Sequence, residues 1–271
     1  MELKKVLYIS QEIEPYLPAG NLSTFGRKLA QGIHEGGTEV RTFMPRYSAI
    51  NERRNQLHEV IRLSGINIII DDTDHPLIIK VATLLPTRMQ VYFIDNDDYF
   101  LHHGDGTLET DSMPAVNDER SIFFVRGTVD TVRKLRWDPS VIHCIGWISA
   151  LAPLYLKRAY ADDPSFRSSK IVYSLYDKRF DGTLDPRMVE KLRADGFSEA
   201  DLASLTDGGE LVDFIKLNKL AIDHADAVAV SSEGIEPELI EYARASGKPL
   251  FEYTAADDGF ADAYREFYKS L

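Results

Sequence analysis

The amino-terminal part of the chain alternates short apolar runs with one amphipathic segment. Residues Lys5–Ser10 are apolar and rich in β-branched side chains, which predicts a strand, and a proline-containing loop (14–20) follows it. Apolar positions then recur at helical spacing over about 22–35, and two glycines end that helix. The next apolar run, 39–44, predicts a second strand. The pattern is therefore that of a βαβ unit, the building block of a parallel sheet.

Residues 58–90 show a different pattern, because strand-like runs follow one another with turn-rich links and little room for helices. We predict a β-rich insertion here, which returns to the sheet at 90–94. Beyond residue 118 helices and strands alternate again, apart from an irregular polar excursion at about 177–209. The predicted helices are 118–135, 149–160, 210–224, 236–245 and 260–270, and the predicted strands are 141–144, 170–176, 227–231 and 249–253.

This order of elements predicts a single α/β domain over residues 1–271, with a Rossmann-like, doubly wound and mostly parallel sheet that carries the β-rich insertion. No internal repeat, low-complexity tract or linker divides the sequence. Folds of this kind bind ligands at the carboxyl ends of their strands, where loops lead into helices. The loop after the first strand is thus the first place to look for a site.

Composition narrows the class of protein. The chain has 271 residues, of which 44% are hydrophobic, so it is neither disordered nor a disulfide scaffold. Its formal net charge of −12 repels phosphate backbones and anionic lipid, so neither a nucleic acid nor a membrane is an expected partner. No signal peptide and no long apolar window are present, and the one cysteine, Cys144, lies in an apolar strand. We expect a cytoplasmic protein with a structural thiol.

Motifs for several common chemistries are missing from the sequence. It contains no G-x-G-x-x-G, Walker A or G-x-S-x-G pattern. The histidines are scattered, with only His102 and His103 adjacent, and the aspartates at 71–74 and 95–98 fit turn chemistry better than a metal site. We therefore predict no metal and no cofactor.

Several stretches match a known family in its own order. Ser-Gln-Glu-Ile-Glu-Pro-Tyr at 10–16, with Met-Pro-Arg-Tyr at 44–47, resembles the opening of bacterial glycogen synthases and plant starch synthases. Further matching stretches are 91–95, 118–124, 138–144, 147–156 and 218–232. The resemblance implies that this chain is the acceptor-side, N-terminal domain of a two-domain glycosyltransferase with the B architecture. Such enzymes transfer glucose from ADP-glucose or UDP-glucose to an α-1,4-glucan without a metal, and a second domain holds most of the donor.

The first departure from the family lies in the loop before the first helix. The family places a Lys-x-Gly-Gly motif here, whose lysine meets the donor phosphates, whereas this chain reads Pro18-Ala19-Gly20-Asn21. Proline supplies neither a cation nor a backbone N–H group to a diphosphate. Asn21 is left as a predicted cap of the helix, whose amino end keeps a partial positive charge.

Two further family motifs are altered. The His-x-His-Asp-Trp-His-Thr motif reads His-Cys-Ile-Gly-Trp-Ile-Ser at 143–149, so only His143 and Trp147 match. Ile148 replaces the histidine that faces the transferred sugar, and its side chain forms no hydrogen bond. The Thr-Ile-His-Asn-like strand end reads Ser-Leu-Tyr-Asp at 174–177, which leaves Tyr176 and Asp177 as cleft-edge groups.

The residues after 232 are too few for the family's second domain and end in an amphipathic helix, which favours a natural end to the chain. No catalytic residue is predicted. The candidate ligand-binding residues are Glu12, Gly20, Asn21, His143, Trp147, Tyr176 and Asp177. For Glu12 and Gly20 the alternative is a loop-holding role, and for His143 and Trp147 it is a place in the core.

Three functions remain open at this point. The first is a non-catalytic relative that binds a glucan, a nucleotide or a protein partner in the altered cleft. The second is an active glucosyltransferase completed by a separate chain that supplies the donor domain. The third is an assembly protein that uses the former cleft as an interaction surface, with Ile145, Ile148 and Tyr176 as the apolar contact residues.

Overall fold

The computed structural model describes residues 3–100, 116–257 and 259–271. Its strands are β1 (Lys5–Ser10), β2 (Glu39–Pro45), β3 (His58–Glu59), β4 (Ile66–Ile70), β5 (Thr73–Leu84), β6 (Met89–Asp95), β7 (Val141–Ile145), β8 (Lys170–Leu175), β9 (Ala227–Val230) and β10 (Leu250–Phe251). Its helices are α1 (Asn21–Glu35), α2 (Asp97–Phe100), α3 (Asn117–Lys134), α4 (Ala152–Lys157), α5 (Met188–Ala194), α6 (Ala203–Thr206), α7 (Phe214–His224), α8 (Pro237–Ala245) and α9 (Phe260–Ser270).

The strands form one twisted sheet in the order β10-β9-β8-β7-β1-β2-β6-β5-β3, with β4 paired to β5. All neighbours from β10 to β6 run parallel, while β3, β4 and β5 pair antiparallel. The antiparallel strands come from the predicted insertion, and β6 returns from it to the parallel sheet. The predicted Rossmann-like, mostly parallel fold is confirmed.

Strand β1 lies at the centre of the sheet, between β2 and β7. Val6 pairs with Val40 on one side and with Val141 on the other. Its four apolar residues from Val6 to Ile9 have no exposed surface. Such a run is typical of a parallel strand covered by helices on both faces. Because the chain order reverses at β1, its carboxyl end marks the switch point of the sheet.

The start of α1 differs from the predicted cap. Gly20, in an extended conformation, is the capping residue, and Asn21 is the first residue of the helix. The Ser23 hydroxyl accepts the Gly20 N–H group at 2.9 Å and donates to the Pro18 carbonyl at 2.8 Å. The prediction that Asn21 caps the helix is thus wrong, because the hydroxyl three residues after Gly20 closes the turn instead.

Helix α1 packs unusually close to the segment after β1. A Cβ atom at Gly26 would lie 2.7 Å from the Glu12 carbonyl oxygen and 2.9 Å from the Ser10 hydroxyl. Only glycine fits without moving backbone, since the Glu12 carbonyl belongs to the main chain just after β1. This contact fixes the amino end of α1 against the carboxyl edge of the sheet.

Helix α9 closes the core beside α1. Phe260, Tyr264 and Tyr268, which are spaced by four residues, are buried on one face of the helix. The Tyr268 hydroxyl contacts the Tyr8 hydroxyl at 3.2 Å and the His143 Nδ1 atom at 2.5 Å. The predicted amphipathic helix is present, and its aromatic face packs against β1 and β7.

Some predicted boundaries are wrong for local reasons. The predicted helix 210–224 begins at Phe214, because the Asp213 side chain caps it by accepting the Lys216 N–H group at 2.8 Å. In the region of the predicted helix 149–160 the structure has two shorter elements. A single 3-10 turn, Trp147–Ser149, comes first, and α4 follows it. The predicted strand 58–63 is only β3, because residues 61–63 form a turn that the Leu63 N–H group closes on the Val60 carbonyl at 2.9 Å.

The described residues contain no helix that is both long and apolar enough to cross a membrane.

Candidate functional site

A cavity of about 830 Å³ opens at the carboxyl edge of the sheet. It lies between the amino end of α1, the loops after β8 and β9, and the segment that follows β10. The residues that line it are mostly small, hydroxylated or aromatic: Ala19, Gly20, Asn21, Thr24, Phe25, Tyr176, Asp177, Ser231, Ser232, Glu233, Gly234, Tyr253, Thr254 and Ala256. Clefts at the carboxyl ends of parallel strands are the usual ligand sites of this fold.

Four of the seven predicted site residues line this cavity. Gly20 and Asn21 come from the first turn of α1, and Tyr176 and Asp177 follow β8. The other three, Glu12, His143 and Trp147, do not line it. The sequence therefore selected residues from two of the segments that line the cavity. It also selected three residues that lie outside the lining.

Asp177 is held by the neighbouring loop. Its backbone N–H group donates to the Ser232 hydroxyl at 3.0 Å. A Cβ atom at Gly234 would lie 2.7 Å from the Asp177 Oδ2 atom, so glycine lets the loop after β9 approach the carboxylate. Asp177 is exposed. Its carboxylate is thus positioned by backbone contacts while it remains accessible to a ligand.

Aromatic rings form one wall of the cavity. The Phe25 and Tyr176 rings lie 5.7 Å apart between centroids, and Tyr253 is 40% exposed. Burial raises the pKa of Tyr176 well above its usual range. The phenol is therefore neutral near pH 7. An aromatic wall with hydroxyl edges suits a ligand that has both apolar faces and hydrogen-bonding groups.

The charge of the cavity is negative. Asp177 and Glu233 contribute carboxylates, and no lysine or arginine is among the described residues that line it. Lys178 follows Asp177 directly, but its Nζ atom contacts the buried Glu12 carboxylate at 2.5 Å. Glu12 therefore acts on the cavity from outside, by engaging the cation next to Asp177.

His143 lies inside the protein with no exposed surface. Its Nδ1 atom contacts the Tyr268 hydroxyl, and its Nε2 atom contacts the Ser174 hydroxyl at 2.6 Å. The chain of hydrogen bonds continues from Ser174 through Ser231 to Tyr264, at 2.8 and 3.0 Å. Burial lowers the pKa of His143 to about 3, so the imidazole is neutral. This network supports the cavity wall at Ser231 from behind.

Trp147 is 1% exposed and packs edge-on against Phe180, with ring centroids 5.1 Å apart. The turn that carries it starts at Gly146, whose φ of 87° is one that side chains rarely adopt. Ile145, Ile148 and Cys144 are fully buried as well, and burial raises the pKa of the Cys144 thiol. The altered family motif at 143–149 thus forms core.

Among the described residues, no group of three or more histidine, cysteine or acidic side chains is arranged to hold a metal ion. His102 and His103 lie outside the described residues. Two of the aspartates at strand ends are engaged by cations: Asp95 pairs with Lys80 at 2.8 Å and Arg46 at 3.1 Å, and Asp71 with Arg187 at 2.6 Å.

Sequence reasoning missed most of the cavity. Seven of the missed residues belong to the loop after β9 and to the segment after β10, and the others lie beside Gly20 and on α1: Ser231, Ser232, Glu233, Gly234, Tyr253, Thr254, Ala256, Ala19, Thr24 and Phe25. A signal for the first group existed, because the carboxyl ends of β8 and β9 meet at the same edge of the sheet. The same signal existed for Tyr253 and Thr254, because they lie at the carboxyl end of the predicted strand 249–253.

The mostly parallel sheet and the cavity at its carboxyl edge define a Rossmann-like domain of the kind found in glycosyltransferases of the B architecture. Residues 5–249 match the family described as the starch synthase catalytic domain. The chain belongs to this family. Helix α9 lies beyond the matched residues.

Curated relatives agree with this assignment. The chain is 32% identical over 237 residues to the glycogen synthase of Pelodictyon phaeoclathratiforme and 33% identical over 237 residues to that of Chlorobium limicola. Each alignment covers 87% of this chain and 47% of the relative. The chain thus spans about half the length of the curated relatives that it matches.

A solved structure shows the same fold. The catalytic domain of starch synthase IV from Arabidopsis thaliana, bound to ADP and acarbose, superposes with a TM-score of 0.74 at 17% identity. The match covers 92% of this chain and 51% of the other.

Proposed function

We propose that this domain binds the end of a neutral α-glucan in the cavity at the carboxyl edge of the sheet, and that it does not transfer glucose by itself. One observation carries the proposal. The described lining combines carboxylates, hydroxyls and aromatic rings but includes no lysine or arginine.

The lining chemistry matches a polyhydroxylated ligand. The carboxylates of Asp177 and Glu233 accept hydrogen bonds from sugar hydroxyls, and such charge-assisted bonds are stronger than neutral ones. The exposed ring of Tyr253 offers an apolar face for the C–H side of a pyranose. The cavity volume of about 830 Å³ is large enough for more than one sugar unit.

A sugar nucleotide fits this lining less well. Its diphosphate requires cations or free backbone donors, whereas Asp177 and Glu233 would repel it. Pro18 stands where the family resemblance places the phosphate-binding lysine. The Gly20 N–H group is already bonded to the Ser23 hydroxyl. The amino end of α1 thus has fewer donors to offer an anion.

The absence of catalysis is inferred from Ile148. It occupies the position where the resemblance places a sugar-facing histidine, and it is fully buried and apolar. Its carbonyl accepts the Ser121 hydroxyl at 2.9 Å, which fixes the turn in the core. No group at this position can therefore hydrogen-bond a transferred sugar.

The structure does not favour an assembly surface at the former cleft. The apolar residues on which that hypothesis depended, Ile145, Ile148 and Tyr176, are at most 6% exposed. Ile145 and Ile148 pack into the core, and Tyr176 shows only a small part of its ring at the cavity, so together they form no extended apolar surface.

The expected result for Asp177→Ala is a loss of glucan affinity of about tenfold or more, because one charge-assisted hydrogen bond is removed. Isothermal titration with maltoheptaose measures it. The exposed position of the side chain leaves the fold intact. Asp162→Ala is the matched control, because it removes an equally exposed aspartate that does not line the cavity. Equal affinity in wild type and Asp177→Ala would remove Asp177 from the site.

A transfer assay tests the second half of the proposal. Wild-type protein with radiolabelled ADP-glucose and maltoheptaose is expected to produce no labelled, extended glucan. Labelled product would refute the non-catalytic function. Tight binding of ADP-glucose without maltoheptaose binding would favour a nucleotide site instead.

A further inference from the structure

A second and smaller cavity lies on the other side of the loop after β1. It has a volume of about 320 Å³ and is bounded by Tyr16, by the segment before β3 and by the end of β5. It shares no lining residue with the cavity of the proposed glucan site. Its volume is at the lower end of the range for small-molecule sites, which is roughly 300–1,000 Å³.

The polar groups of this cavity can all donate hydrogen bonds, although the Asn55 amide already donates from Nδ2 to the Asn51 carbonyl at 2.9 Å. They are the Arg54 guanidinium, the Asn55 and Gln56 amides, the His58 imidazole and the Tyr16 and Thr83 hydroxyls. No carboxylate is among the described residues that line it. In a chain with a net charge of −12, this lining is opposite in character to that of the larger cavity.

Tyr16 contributes a neutral donor. Burial raises the pKa of Tyr16 to about 12, and the positive charge of Arg27 opposes that effect. The phenol therefore keeps its proton near pH 7. The same Arg27 donates from Nη2 to the Leu85 carbonyl at 3.5 Å. A second guanidinium thus lies at the edge of the cavity.

The acidic residues nearby are already engaged by cations. The Glu52 carboxylate contacts Lys80 at 2.7 Å and Arg46 at 3.1 Å. Glu14 contacts Arg27 at 3.7 Å and accepts the Thr24 hydroxyl at 3.1 Å. Within the described residues the Arg54 guanidinium forms no ion pair, and its backbone N–H group is the part that bonds to Asn51. Its charge is therefore available to an anion from solution.

We propose that this cavity binds a small phosphate monoester. The dianion lies against Arg54 and His58, which both line the cavity, and arginine forms two parallel hydrogen bonds to a phosphate. The organic part lies against the apolar wall formed by Pro15, Leu84 and Leu85. An aromatic hydroxyl and two amides complete the contacts of the ester. The proposal does not depend on the glucan site.

Isothermal titration of the full chain with glucose 1-phosphate, inorganic phosphate and glucose tests this site. We expect glucose 1-phosphate to bind most tightly, glucose not to bind here, and binding to weaken as salt is raised. Arg54→Ala is expected to weaken glucose 1-phosphate binding about tenfold or more, with Arg54→Lys in between, because lysine keeps the charge but loses the paired donors.

Two control variants make the result specific. Arg167→Ala removes the same charge from an exposed position that does not line the cavity, and it is expected to leave binding unchanged. Asp177→Ala, in the larger cavity, is also expected to leave it unchanged. No binding of glucose 1-phosphate to wild type, equal affinity for inorganic phosphate, or equal losses in Arg54→Ala and Arg167→Ala would each overturn the proposal.

Discussion

Tyr268→Ala is expected to lower the free energy of unfolding by about 4 kcal/mol, the usual range for removing a buried aromatic ring. Tyr268 has no exposed surface and lies between Tyr8 and His143. The truncation leaves a cavity in the core. It also removes the hydroxyl that bonds both the His143 Nδ1 atom and the Tyr8 hydroxyl. Urea denaturation followed by circular dichroism measures the change.

Tyr268→Phe is the matched variant, because it keeps the ring and removes only the hydroxyl. Its expected cost is about 1–2 kcal/mol, since the buried His143 nitrogen loses its partner while packing is retained. The difference between the two variants therefore reports the contribution of the ring. If the alanine variant were no less stable than the phenylalanine variant, α9 would not be part of the cooperative core.

Helix α9 lies outside the residues that match the family but contributes to the cavity wall. The family match ends at residue 249, yet α9 supplies Tyr264 and Tyr268 to the network that includes Ser231. Ser231 also lines the proposed glucan site. The wall of that site therefore rests on a helix outside the matched residues. Changes in α9 are expected to reach the cavity through Ser174 and Ser231.

The fold could be predicted from the sequence where local pattern determines it. The strand β1, the helix α1 and the strand β2 follow from apolar spacing and from the glycines at 36 and 37. The β-rich insertion follows from its alternating runs. The excursion at 177–209 could not be assigned in the same way, because its helices α5 and α6 are short and are stabilised by contacts with distant parts of the chain.

The candidate site was predictable only in part, for a similar reason. Tyr176 and Asp177 lie directly after β8, so the rule for parallel sheets finds them, whereas Gly20 and Asn21 at the start of α1 were found through the altered loop motif of the family. The role of His143 depends on Tyr268, which is 125 positions away along the chain. No local pattern shows that this imidazole is enclosed by a terminal helix.

The second large effect is expected for Lys191→Met, which should lower the free energy of unfolding at pH 7 by about 3–5 kcal/mol, as is usual when one partner of a buried ion pair is removed. Lys191 belongs to α5 and is 7% exposed. Its Nζ atom lies 2.7 Å from the Asp118 Oδ2 atom and 2.6 Å from the Glu119 Oε1 atom, both on α3. Methionine retains the packing of the stem but leaves the buried Asp118 carboxylate without its cation.

The stability that Lys191→Met loses should depend on pH, with a larger loss at pH 7 than at pH 5. Burial already raises the pKa of Asp118 even with Lys191 beside it, and removal of the cation raises it further. A carboxyl group with a raised pKa binds its proton more readily in the folded state than in the unfolded state, so folding gains stability as the pH falls through that interval. The deficit of Lys191→Met relative to wild type should therefore be largest at pH 7 and smaller at pH 5.

Arg187→Gln provides the comparison, because Arg187 forms an ion pair with Asp71 at 2.6 Å on the exposed surface. Solvent screens that pair, so its loss should be far smaller and nearly the same at both pH values. Urea denaturation of the three proteins at pH 7 and pH 5 separates the effects. Equal losses in the two variants, or a Lys191→Met deficit that grows toward pH 5, would show that Asp118 is not an ionised buried group held by Lys191. The expected result instead makes Lys191 the buried anchor between the polar excursion and α3, beside the partly exposed pair of Arg126 and Asp195.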